Sequence, residues 1–187
     1  MGDALADAVR SLRQGELVVY PTDTLLGLGA LAGRRAAVDR LVRAKGRSPS
    51  QPVSICLSST EEVERYARLS PTSRRFLRRN LPGPFTVLLP PSPWARRRLA
   101  PSIAGARTIG VRVPDHPTAR ELARQVGPIT ATSANRHGEP PARTLREARR
   151  SLGRAVSVYL PAAPPSSGEA SILVDLTGTE PRLVVRG

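Results

Sequence analysis

The residue pattern predicts an α/β fold around a mixed β-sheet, on three observations. Short apolar runs of strand length alternate with segments of helical periodicity along the chain. A few apolar runs follow one another without a helix between them, which adds antiparallel pairs to parallel ones. The 187 residues, 40% hydrophobic and 24% charged, can bury a core and are too apolar for a disordered polycation. No uninterrupted apolar run reaches the roughly 18 residues of a membrane span, so a soluble chain without a membrane partner is expected.

Asp3 is placed to cap a first helix with apolar residues Ala4, Leu5, Ala8, Val9 and Leu12, and Gly15 stops it. A buried strand, LVVY at 17–20, follows and ends at Pro21. Thr22 to Gly33 is polar and then Gly-rich, which predicts a loop at the strand's carboxyl end, where α/β proteins bind ligands. A helix over 36–44 ends in Lys45-Gly46-Arg47, and the chain passes Pro49 and Pro52 into a strand, VSICL at 53–57. Ser59-Thr60-Glu61-Glu62 resembles a capping box for a short helix to about Ala67, and Ser70-Pro71 opens another that Pro82-Gly83-Pro84 breaks. Strands are expected at 85–89, 108–113 and 128–133, with a helix at about 118–126 between the last two. An Arg-covered helix at about 144–152, a strand at 156–160, a Pro/Ser-rich loop at 161–168 and two short strands, SILVDL and RLVVR, complete a single domain over 1–187.

The formal net charge is +14, and of 29 basic residues one is a lysine, Lys45, while 28 are arginines. Six aromatics cannot build an extended base-stacking platform. The single cysteine, Cys56, excludes an internal disulfide, and with only His116 and His137 beside it no zinc-type cluster forms, so no protein metal site is expected. The N-terminus lacks the positive n-region and apolar stretch of an export signal, which points to the cytoplasm.

GxxxxGK[ST], GxSxG and HExxH are all absent. Gly27, Gly29 and Gly33 have the spacing G-x-G-x-x-x-G, and no acid stands about 20 residues on, around Val53, so they read as turn and packing glycines rather than a dinucleotide site. Lys45 beside Arg47 reads either as a solvated helix end complementing the macrodipole or as an anion site that needs a compact ammonium. Thr132-Ser133-Ala134-Asn135, after an apolar strand, reads either as a side-chain-capped turn or as a cradle for a nucleotide or carboxylate. Residues 108, 110 and 112 share one strand face, and Arg112 there requires a core carboxylate or an anionic ligand. His116 reads as a loop residue and Cys56 as core.

Taken in order, these pieces resemble the YrdC/TsaC family of threonylcarbamoyl-AMP synthases. The family's PTDTxYGLG is matched by residues 21–29, its KxR by Lys45-Gly46-Arg47, and its PGPxT by residues 82–86. Its TxxxRxP is matched by Thr108 to Pro114, its SAN by Ser133-Ala134-Asn135, and its late ST-x-x-D by Ser171 to Asp175. The resemblance implies a YrdC-like twisted mixed sheet with flanking helices and a cationic concave face, in the single-domain form. It implies a nucleotidyltransferase that makes threonylcarbamoyl-adenylate and pyrophosphate from L-threonine, bicarbonate and ATP with Mg²⁺, for t6A modification of tRNA by a transfer machinery. Lys45 and Arg47 would be catalytic. ATP would meet them together with Thr108, Ser133, Asn135 and Arg186, and threonine would meet Thr22, Arg112 and Ser171. Leu26, Cys56 and Thr132 stand where the family usually has Tyr, His and Pro, which bears on the amino-acid pocket. Two other readings compete: a non-catalytic module for ribosome maturation or for binding tRNA or double-stranded RNA through the Arg clusters at 74–79, 96–98 and 146–150, and a divergent carbamoyl-adenylate-forming paralogue that serves another acceptor.

Overall fold

The computed structural model describes residues 2–105, 107–161 and 167–185, so most of the expected 161–168 loop, and Arg186, lie outside the described residues. Helix α1 (Gly2–Gln14) begins ahead of Asp3, so this residue sits in the first turn beside the dipole instead of capping it. Gly15, at φ 85°, ends the helix in the left-handed region. Strand β1 (Val18–Tyr20) pairs antiparallel with β2 (Gly27–Gly29), so the segment expected to be all loop contains a strand. The reason is close approach: a Cβ on Gly27 would lie 2.6 Å from Cζ of Tyr20, whose ring rests on β2. Its hydroxyl donates to the Thr130 carbonyl at 2.9 Å. These glycines therefore serve packing, as the spacing argument expected.

Helix α2 (Arg35–Lys45) stops at Gly46, which adopts φ 61°. Strand β3 (Ser54–Cys56) leads to α3 (Val63–Tyr66), which lacks the expected capping box. Glu62 instead turns back to accept from the N–H and hydroxyl of Ser58. Ser70 caps α4 (Pro71–Asn80) by accepting from the Ser73 N–H, and β4 (Phe85–Leu89) follows. Two short helices, α5 (Pro93–Arg98) and α6 (Pro101–Ala104), are additions to the sequence expectation. Each opens on a proline and is too brief for its periodicity to register.

Strand β5 (Ile109–Arg112) is followed by α7 (Pro117–Val126), whose cap is His116: its Nδ1 accepts from the Thr118 N–H. Strand β6 (Ile129–Ser133), α8 (Leu145–Leu152, with a Thr144/Glu147 capping box), β7 (Val158–Tyr159), β8 (Ile172–Asp175) and β9 (Arg182–Leu183) complete the described elements. The strands form one mixed sheet in the order β7-β1-β2-β6-β3-β5-β4-β8-β9.

Alternation along the strands gives the sheet two unlike faces. Val19, Ile55, Val87, Ile109, Val111 and Val174 point into the larger core, beneath the helices α2 to α6 and α8. On the opposite face Val18, Tyr20, Cys56 and Ile129 are covered by α1 and α7 through Ala8, Leu12, Ala119 and Leu122. This helix pair stops short of β4, β5 and β8, leaving Thr86, Leu88, Gly110, Arg112 and Leu173 facing an open cleft.

Candidate active site

The cleft encloses about 510 Å³ on that bare half of the sheet. Four of the motifs meet in it through Thr22, Thr108 with Arg112, Ser133 and Ser171, and Arg47 stands at it from the KxR segment. Thr86 and Ser171, far apart in sequence, bring their hydroxyl oxygens within 2.7 Å because β8 runs parallel to β4. Thr22 donates to the Leu25 carbonyl at 2.6 Å and accepts from the Thr24 N–H at 3.2 Å, which fixes the loop between β1 and β2.

Arg112 resolves the choice left open for an arginine in an apolar strand. Its Nη2 donates to Oδ1 of Asp23 at 2.6 Å, and the two side chains are 9% and 11% exposed. Its Nε is buried and meets no partner among the described residues, while the side chain lines the cleft. Arg47 donates from Nη2 to the Pro52 carbonyl at 2.9 Å and from Nε to Oε1 of Gln51 at 3.1 Å, which steadies its guanidinium at the cleft.

Lys45 takes a different position from its neighbour. It is only 4% exposed and lies beneath the S-A-N turn, donating from Nζ to the carbonyls of Ser133 at 2.6 Å and Asn135 at 2.5 Å. Burial lowers its pKa to about 8, Arg47 adds to the lowering and Glu139 opposes it. Asn135 is also buried: its Nδ2 donates to the Arg136 and Glu139 carbonyls, both at 2.8 Å, so Ser133 and Thr132 are the members of this turn that line the cleft.

Leu26 and Cys56 line the inner wall and are each 1% exposed. Burial pushes the Cys56 thiol up to about 12, which makes it part of the wall rather than a nucleophile. Residues that the sequence reasoning missed include Asp23, the counter-ion of Arg112, and Thr86, the partner of Ser171. Asp23 had a readable signal, since an acid three residues past a buried strand is well placed to meet a buried cation. Nothing in the sequence announced the Thr86 pairing before the strand order was known.

Among the described residues, no carboxylate lines this cleft, while Arg47, Arg112 and several hydroxyls do. Such a surface, beside the ends of strands in a mixed sheet, defines an α/β protein that binds anionic small molecules. The Sua5/yciO/yrdC family model, described as Telomere recombination, matches residues 10–187. The chain therefore belongs to the Sua5/YciO/YrdC family.

A relative from Chromohalobacter salexigens named threonylcarbamoyl-AMP synthase is 38% identical over 159 residues, covering 83% of this chain and 84% of its own. The crystal structure of P. abyssi Sua5 complexed with L-threonine superposes with a TM-score of 0.87 at 32% identity, covering 96% of this chain and 52% of that one. The chain thus spans about half the length of that Sua5 protein. The solution structure of the MTH1692 protein from Methanobacterium thermoautotrophicum gives a TM-score of 0.78 at 42% identity over 99% of this chain and 86% of that one. Among the described residues no helix is long and apolar enough to cross a membrane.

Proposed function

We propose that the protein is an L-threonylcarbamoyladenylate synthase acting for the t6A modification of tRNA, and one observation carries the reading: a cleft lined, among the described residues, by two arginines and no carboxylate, in a chain 38% identical to a synthase of this name. In the reaction the ammonium of threonine first gives up a proton to solvent, and the neutral amine attacks the carbon of bicarbonate with loss of water to form the carbamate. The resulting carbamate oxygen attacks the α-phosphorus of ATP and expels pyrophosphate. Negative charge grows on the phosphates as this bond breaks, and fixed cations stabilise it without reorganising.

Arg47 is the cation placed at the cleft for this role, and Lys45 lies under the turn that presents Ser133. Thr108 and Ser133 belong to the nucleotide end, with Asn135 shaping the turn from behind. Arg112 meets the threonine carboxylate through its fork, with Thr22 and Ser171 nearby. Among the described residues no carboxylate lines the cleft, so Mg²⁺ would be brought in by the ATP phosphates rather than held by a protein cage, and its charge would ease attack at phosphorus. Transfer to tRNA in the cytoplasm, by separate machinery, completes the reading.

The test is pyrophosphate release measured with ATP, threonine and bicarbonate. Release is expected to require all three and to fall by roughly 10²–10³ in Arg47→Ala. Release indifferent to threonine overturns the assignment.

A further inference from the structure

Strand β4 is paired on both sides, antiparallel to β5 and parallel to β8. Val87 stands opposite Val111 and Leu88 opposite Gly110, and the same register sets Thr86 across from Arg112. On its other side Thr86 stands opposite Leu173, and its hydroxyl oxygen lies 2.7 Å from that of Ser171. Thr86 thus sits between Arg112 and Ser171, two of the groups given to threonine, and all three line the cleft.

Both hydroxyl residues are buried, yet the next cleft-facing positions along and across the strands, Leu88 and Leu173, are apolar. Valine at 86 and alanine at 171 would fill nearly the same space. Exchanging both members of a buried pair for apolar groups of like shape is close to neutral for folding. Packing therefore does not account for the pair, whereas a polar ligand in the cleft does.

The two members are held unequally. Thr86 is β-branched, stiff at χ1 and fixed between two strands. Ser171 is unbranched, has three staggered rotamers open to it, and precedes the first residue of β8. The stiff hydroxyl sets the direction of the adaptable one.

Building on the synthase reading of the cleft, we infer that Thr86 is a positioning residue for the amino-acid substrate: it aims the Ser171 hydroxyl at the threonine that Arg112 binds. One proton of the pair lies between the two oxygens. A carboxylate beside Arg112 only accepts, so its arrival selects the order in which Thr86 donates to Ser171 and Ser171 donates to the carboxylate. Without the Thr86 hydroxyl, Ser171 keeps its proton and loses its heading. Threonine binding then weakens while the nucleotide end is untouched.

The experiment is calorimetric titration of the full chain with L-threonine, beside pyrophosphate release with threonine and ATP varied in turn. Thr86→Val keeps shape and branching, and it is expected to weaken threonine binding and raise its KM by roughly tenfold, with KM for ATP nearly unchanged. Thr86→Ser restores the hydroxyl and should bring both values back to within about threefold of wild type. Ser171→Ala should cost at least as much as Thr86→Val, and adding Thr86→Val to it should cost nothing further, because Thr86 acts through Ser171. Should Thr86→Val melt too low to assay, Thr86→Ala against Thr86→Ser gives the same contrast. Threonine binding unchanged in Thr86→Val overturns the proposal, as do additive losses in the double variant or equal rises in both KM values. Wild-type release that ignores threonine is instead the failure of the synthase reading, and the calorimetry then decides this inference on binding alone.

Discussion

The Lys45 ammonium lies 2.5 Å from the Asn135 carbonyl, a hydrogen bond that closes ninety residues of chain and locks the end of α2 against the S-A-N turn. With the part-buried Ser133 bond beside it, two carbonyls of the turn accept from one side chain. Lys45→Met is expected to lower stability in urea unfolding by roughly 2–4 kcal/mol, because both acceptors lose their partner. Lys45→Arg should not rescue activity, since a planar fork cannot replace a compact ammonium there. Failure of Lys45→Met to move the unfolding midpoint would show that the turn holds without it.

The same residue gives a pH signature. Its folded pKa is lowered to about 8 from an ordinary 10.5, so between these values the unfolded chain binds more protons than the folded one. Its contribution to stability therefore rises as pH climbs through that window, while any catalysis needing the charge falls. Unfolding midpoints and turnover rates measured from pH 7 to 9, below the range in which the Cys56 thiol acts, should move in opposite directions, and Lys45→Met should flatten the stability trend.

Arg112 and Asp23 form a mostly buried pair, and Asp23→Asn leaves the guanidinium without its counter-ion. The expected cost is about 3 kcal/mol, near the lower end for breaking such a pair. Arg112→Lys keeps a charge but loses the fork, and it should raise KM for threonine at least tenfold with KM for ATP nearly unchanged. Equal changes in both constants would remove Arg112 from the amino-acid end.

Gly110 is held to glycine by its neighbour on β3, because a Cβ there would collide with Oγ of Ser54. Gly110→Ala should destabilise by roughly 1–3 kcal/mol and slow turnover by pushing Ser54 into the cleft. Adding Ser54→Ala should recover part of both losses, and a double-mutant cycle reads the coupling directly. Additive effects would mean that the two positions do not compete for space.

Cys56 should resist alkylation at pH 8 in the native protein and react once the chain is unfolded, since burial pushes its thiol up to about 12. A raised folded pKa also means that this residue's contribution to stability is complete below the ordinary thiol range and is lost as pH rises toward 12. Prompt labelling of the native chain would contradict its place in the wall.

Much of this architecture was legible in the residues because period and capping are local. The strands expected at 85–89 and 128–133 and the helix expected at about 144–152, read from apolar runs and an Arg-covered stretch, correspond to β4, β6 and α8. Strand β2 was hidden because its fitness comes from the absence of side chains that would strike Tyr20, a partner outside its own segment. The residues of the site were legible by motif, but their depth was not. Arg47 and Lys45 stand two apart in sequence, yet one lines the cleft and the other is sealed under a turn. Helical direction changes at Gly46, at φ 61°, and no propensity scale reports where the following side chain will point.

The contact between Thr86 and Ser171 has a consequence for biosynthesis. Its two strands are parallel, so β8 can join β4 only after the whole intervening chain, with β5, β6 and β7, has left the ribosome. A nascent chain halted before residue 171 can already bury much of its core, yet one wall of its cleft is missing. Ligand affinity is thus acquired in one late step of synthesis, and partially translated copies hold neither threonine nor nucleotide back from the finished protein.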